Sequence, residues 1–146
     1  METLAMQEPG TIVDGLVSAC DDLAWRLNAA ANAVGGRVGG TLRALAVQTE
    51  EQSLELMSVR IPFMSRRFEA MYERAAAQPA GAELGDCLEA QARLIESYHV
   101  ASSTELPPSW AVVVGRHLDE ILAARHTLRN LAQQGWRTAE LVGHSR

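Results

Sequence analysis

Apolar residues recur every three to four positions along most of this chain, and that period constrains its fold more than any other feature. Between residues 11 and 34 they are Ile12, Val13, Leu16, Val17, Cys20, Leu23, Ala24, Leu27, Ala30, Ala31 and Val34. Side chains so spaced share one face of an α-helix, whereas a half-buried strand alternates every second residue. A second segment opening at Thr41 carries Leu42, Leu45, Ala46, Thr49, Ser53, Leu56 and Met57 on one stripe. A third, over about 84–103, carries Cys87, Leu88, Gln91, Leu94, Ile95, Tyr98 and Ser102. A fourth, from Trp110 to about Gln134, carries Trp110, Val113, Val114, His117, Ile121, Ala124, Leu128 and Leu131. No strand pattern competes, so the expected fold is all-α.

Local chemistry sets the expected boundaries. Thr11 reads as the first N-cap, with Asp14 completing a capping-box-like pair. Gly35-Gly36-Arg37-Val38-Gly39-Gly40 reads as a C-cap and tight reversal, after which Thr41 caps the second helix. Pro62 ends or kinks that helix. Leu106-Pro107-Pro108 is a turn whose prolines cost no hydrogen bond in a first helical turn. The short connections predict two antiparallel hairpins, joined by a longer crossover over about 62–83. Phe63, Met64, Phe68, Met71 and Tyr72 give that crossover a short extra amphipathic helix. Residues 1–10 are expected to be flexible, 11–134 to form the bundle, and 135–146 to be a weakly docked or disordered tail.

A chain of 146 residues makes one ordinary domain with an adequate core. Alanine and leucine dominate its apolar residues, which suits close helix packing. The net charge of −5 and the lack of any basic cluster larger than Arg66-Arg67 exclude an ordinary nucleic-acid binder. Apart from four histidines, every basic side chain is one of 13 arginines, so Schiff-base and P-loop lysine chemistry are excluded. The glycine-rich 35–40 stretch follows no strand and precedes no Lys-Ser/Thr, so a turn fits it better than a phosphate cradle. Cys20 and Cys87 both fall on apolar stripes and read as buried free thiols. The first residues lack the pattern of a signal peptide, and no apolar run approaches about 18 residues. The expectation is a soluble cytoplasmic protein with no membrane span.

Several stretches together resemble a ferritin-like four-helix-bundle family of small bacterial proteins without assigned function, some of them stress-associated. They are Arg43-Ala-Leu-Ala through Glu55-Leu56, Met71-Tyr-Glu-Arg-Ala-Ala-Ala, Glu96-Ser-Tyr98, Leu106-Pro-Pro, and Asp119-Glu-Ile-Leu-Ala-Ala-Arg-His126. The resemblance spans about residues 11–134. The chain departs from it at Ile61-Pro62-Phe-Met-Ser, where that family closes its second helix on a Leu-Gly turn. The resemblance implies a ferritin-like antiparallel bundle and little about chemistry.

Ferritin-like di-iron sites use two Glu-x-x-His pairs and two further inward carboxylates. This sequence has one such pair, Glu96 and His99, with Glu96 expected to point away from the core and His99 to lie at its edge. His117 is the most distinctive histidine, because it falls on an apolar stripe and there demands a hydrogen-bond partner. Tyr98, Asp21 and Thr49 are its expected partners. Asp14 with Asp21, and Glu51 with Glu55, share helix faces and read as solvated stripes or as linings of a polar channel. His126 is expected to pair with Glu120 or Asp119. The metal candidates are therefore Glu96, His99, His117 and Glu51, and iron or manganese is the alternative to no cofactor at all. A haem held by Met57 and His117 is a further option, although no Cys-x-x-Cys-His for covalent haem occurs. The functional expectation is a non-catalytic bundle that acts by self-assembly or by binding a protein partner, in a bacterial stress response. The Phe63/Met64/Phe68/Met71 patch is its expected contact surface. The competing expectation is a metal-binding bundle with a degenerate carboxylate/histidine site.

Overall fold

The computed structural model describes residues 8–59 and 84–145, with side chains described as far as residue 134. Four helices make up the described chain: α1 (Pro9–Val34), α2 (Gly36–Ser58), α3 (Leu84–Ser102) and α4 (Pro108–Ser145). No strand occurs among the described residues. The expected crossover, its short extra helix and its apolar patch lie outside the described residues, as do Arg66 and Arg67.

The helices form a four-cornered bundle. α1 packs on α2 and α3, and α4 packs on α2 and α3, so α1/α4 and α2/α3 are the diagonals. Cross-helix contacts fix the directions. Asp21 meets Ser53 while Asn32 meets Arg43, so α1 and α2 are antiparallel. Gln52 meets Glu120 while Glu55 meets His117, which makes α2 and α4 antiparallel. Tyr98 meets His117 while Arg125 reaches the Leu88 carbonyl, so α3 and α4 are antiparallel too. Cys20 meets Tyr98 while Arg26 sits in the field of Asp86, completing the circuit between α1 and α3. The diagonal helices α2 and α3 therefore run parallel. The last turn of α2 and the first turn of α3 stand at opposite ends of the bundle.

Inside, the apolar stripes meet as their spacing predicts. Val13, Leu16, Cys20, Leu23, Leu27, Leu42, Leu56, Leu94, Val114, Ile121 and Leu128 form one buried cluster. Each of the larger side chains contributes about 1.5–3 kcal/mol when buried. Both cysteines are free and buried, as expected.

Three boundaries differ from expectation. α1 begins at Pro9 with Glu8 as N-cap and no side-chain capping bond, so Thr11 is already helical. A proline in the first turn needs no N–H acceptor, which lets the helix start earlier. The α1–α2 turn is a single residue, Gly35, rather than the whole 35–40 stretch. Gly35 (φ 68°) and Gly36 (φ 60°) take the left-handed backbone, while Val38 to Gly40 are already in α2. Thr41 is thus inside the helix, where its hydroxyl donates back to the Arg37 carbonyl at 3.2 Å instead of capping. At the far end, α4 continues through Gly135 to Ser145, past the expected end of the helix at about Gln134. No proline follows to stop it, and a helix already nucleated gains one hydrogen bond for each residue added.

Gly39 has a separate role. A Cβ there would stand 2.9 Å from the Ala31 carbonyl oxygen, so the hairpin closes backbone to backbone at this point. A Cβ at Gly40 would meet nothing within 4 Å. Gly39→Ala should therefore cost about 1–3 kcal/mol through forced separation of α1 and α2. Gly40→Ala should gain about 0.5–1 kcal/mol from helix propensity. Urea melts of the two variants check this, and equal midpoints would refute the close approach.

Candidate functional site

The bundle interior contains a continuous polar chain that draws one residue or more from every helix. Its centre is His117, placed on the buried stripe of α4 by its spacing from Val114 and Ile121, and fully inaccessible to solvent. Its Nδ1 lies 2.9 Å from the Tyr98 hydroxyl on α3. Its Nε2 lies 2.8 Å from Glu55 Oε1 on α2. On the far side of Tyr98, Cys20 Sγ of α1 is 3.7 Å from the same hydroxyl oxygen. Outward from Glu55, the other carboxylate oxygen accepts from Arg116, whose guanidinium also neighbours Glu120. Glu120 accepts in turn from the Gln52 amide at 3.1 Å.

With the ring neutral, the donors and acceptors assign the protons. An ionised Glu55 can only accept, so His117 Nε2 carries a hydrogen and donates it. In the neutral ring Nδ1 is then an acceptor, and the Tyr98 hydroxyl donates to it. The Tyr98 oxygen is left to accept from the Cys20 thiol. All these bonds point one way, from Cys20 towards Glu55, and no atom of the imidazole is left unpartnered.

Burial fixes the ionisation of the inner members. Desolvation pushes the Cys20 thiol up to about 12, against a smaller opposing effect from Tyr98. Burial likewise drives the Tyr98 phenol far above its ordinary value. Cys87 is pushed up to about 11 by burial and by Asp86. Thiols so placed stay protonated and are poor nucleophiles. Glu55 is the opposite case. Its hydrogen bonds from Arg116 and then His117 hold its carboxyl below the usual range. Glu50, desolvated beside α1, is raised despite a hydrogen bond from Asn28.

The residues expected to form a metal site are not brought together. Glu51, Glu96 and His99 are exposed, whereas His117 is in the core. Glu96 and Arg93 line an open groove of about 420 Å³ between α1 and α3, together with Ile12, Leu16 and Val100. Among the described residues no group of three or more His, Cys, Asp or Glu side chains could hold a metal ion. As folded, His117 offers no free lone pair to an ion or to haem iron, and Met57 is part of the packed core.

Of the three expected partners for His117, Tyr98 is the one that meets it. Asp21 accepts from Ser53 at 2.6 Å instead, and Thr49 bonds the Leu45 carbonyl at 2.8 Å. His126 is exposed, and Glu120 meets Gln52 and Arg116. Sequence reasoning placed Glu55 with Glu51 but missed its bond to His117. The available signal was the second nitrogen of a core histidine, which requires a partner of its own. Gln52 was also missed as a buried residue. It is 3% exposed and Gln91 is 2% exposed, and each keeps a side-chain oxygen without a hydrogen-bond partner. The chain matches no known family model, no curated protein and no solved structure.

Two outcomes follow for stability. Tyr98→Phe strips His117 Nδ1 of its donor and should cost about 1–3 kcal/mol. A double-mutant cycle with His117→Phe should give a coupling of about 0.5–3 kcal/mol, and strict additivity would refute the bond. The depressed Glu55 carboxyl stabilises the fold fully above the ordinary carboxylate pKa and loses that effect as pH falls below it. The raised Glu50 carboxyl works with the opposite sign, since its ionisation is disfavoured in the fold. Melting temperatures between about pH 3 and 6 should show a flatter acid limb in Glu55→Gln and a steeper one in Glu50→Gln.

Proposed function

We propose that the chain is a non-catalytic bundle of ferritin-like topology that acts by self-assembly or by binding a protein partner. The observation that carries this reading is the closure of the polar interior. Both nitrogens of His117 are engaged, and the flanking phenol and thiol are protonated and shielded. Groups so enclosed have no path to a bound substrate, and their hydrogen bonds tie the helices together. What the protein offers to other molecules is then its surface. The ferritin-like topology draws support from the parallel diagonal pair α2/α3, because joining them requires one connection along the length of the bundle. A role in bacterial stress response rests on the family resemblance alone.

Size-exclusion chromatography with light scattering over a dilution series tests self-assembly. A mass above the monomer that falls on dilution is expected, and a strict monomer at the highest concentration removes that arm. Elemental analysis of protein purified without chelator tests the competing metal reading. Stoichiometric iron or manganese, lost in His117→Ala, would replace the non-catalytic reading.

A further inference from the structure

The surroundings of Tyr98 do more than satisfy its hydrogen bond. A phenol gives up an electron readily only if its proton leaves with it, because a radical cation in a low-dielectric interior is costly. Tyr98 is fully buried, with its hydroxyl 2.9 Å from the ring nitrogen that accepts its hydrogen bond and can take the proton along it. The imidazolium so formed would already face the Glu55 carboxylate, 2.8 Å from Nε2, so its charge would be paired where it arises. On the other side of the same oxygen, 3.7 Å away, stands a thiol that retains its hydrogen.

We propose that Tyr98 is a one-electron redox site, with His117 as its proton acceptor and Cys20 as the hydrogen-atom donor that restores it. The protein would then act as a sink for one oxidising equivalent from a diffusing one-electron oxidant. This inference is independent of the assembly reading. In the first step one electron passes from Tyr98 to the oxidant, which is reduced, and the hydroxyl proton moves to His117 Nδ1. The product is a neutral tyrosyl radical beside an imidazolium–carboxylate pair. In the second step the S–H bond of Cys20 breaks and the O–H bond of Tyr98 re-forms, which leaves a thiyl radical at Cys20. His117 gives up its Nε2 proton to solvent through Glu55, whose side chain is 36% exposed, and keeps the proton received at Nδ1, so that the re-formed Tyr98 hydroxyl turns towards Cys20 and its oxygen accepts from Nδ1. Tyr98 is not exposed, so the oxidant must act at a distance as an outer-sphere reagent.

The test uses the full chain with hexachloroiridate(IV) as oxidant and freeze-quench electron paramagnetic resonance as readout. The chain has two tyrosines, so Tyr72→Phe leaves Tyr98 as the only one. That variant, made with ring-deuterated tyrosine, should give an early radical signal narrowed by the deuterium. Adding Cys20→Ala should lengthen the life of that signal several-fold. Transfer to D2O should slow its formation. Absence of a deuterium-sensitive signal overturns the proposal. Unchanged decay in Cys20→Ala overturns the thiol step, and equal formation rates in H2O and D2O overturn the role of His117. Tyr98→Phe is the blank, but the labelling experiment stands without it if that variant fails to fold.

Discussion

The imidazole of His117 is the constraint on which the polar interior depends. A buried polar ring with one unsatisfied nitrogen costs about 1–3 kcal/mol, which is a large share of a domain's stability. No single neighbouring helix satisfies both nitrogens here. Tyr98 comes from α3 and Glu55 from α2, while Cys20 of α1 stands behind Tyr98. One residue therefore sets the axial position of α4 against two helices at once. A slip of one turn, about 5.4 Å, would break both bonds. The apolar stripes alone would tolerate such a slip better, because leucine and alanine burial is not directional.

The seams of the bundle are built from different chemistry. Between α1 and α2 the turn is one glycine long and Gly39 brings the backbones together, while Ala30, Ala31 and Ala46 are buried small residues. Rungs from Asn32 to Arg43 and from Asp21 to Ser53 add direction to that seam. Between α2 and α4 the cross-helix bonds are polar ones, from Gln52 to Glu120 and from Glu55 to Arg116 and His117. The first seam is held by shape and the second by matched donors and acceptors. A change in pH or salt acts on the second seam more than on the first.

This division explains what could be read in advance. The stripes at three-to-four spacing identified the four helices of the described residues, because burying one face is an additive property of many residues. The demand of His117 for a partner was also readable, and Tyr98 was among the residues expected to meet it. The rest depended on geometry that spacing does not carry. Thr11 and Thr41 look like caps, yet Pro9 and the paired Gly35/Gly36 decide where the helices start. Glu55 and Glu51 share a face by spacing, and only the packing of α4 makes one of them a buried-ring partner and leaves the other in water. The pairing of α1 with α3, and of α2 with α4, could not be counted from turn lengths, since it follows from which diagonal the chain takes.

Glu55 also explains why the polar chain ends where it does. A carboxylate wholly buried beside His117 would lose its hydration and gain one hydrogen bond in exchange, which is an unfavourable trade. At 36% exposure it keeps part of its hydration, and Arg116 supplies a second partner at the surface. The charge thus sits at the boundary, while only neutral groups continue inward to Tyr98 and Cys20. A glutamate on the adjacent buried face of α2, at Leu56 or Met57, would put its charge in the apolar core. Moving the carboxylate one turn along α2 would strand Nε2. The position of Glu55 on α2 is therefore set by the need to be ionised on one side and to satisfy a buried ring on the other.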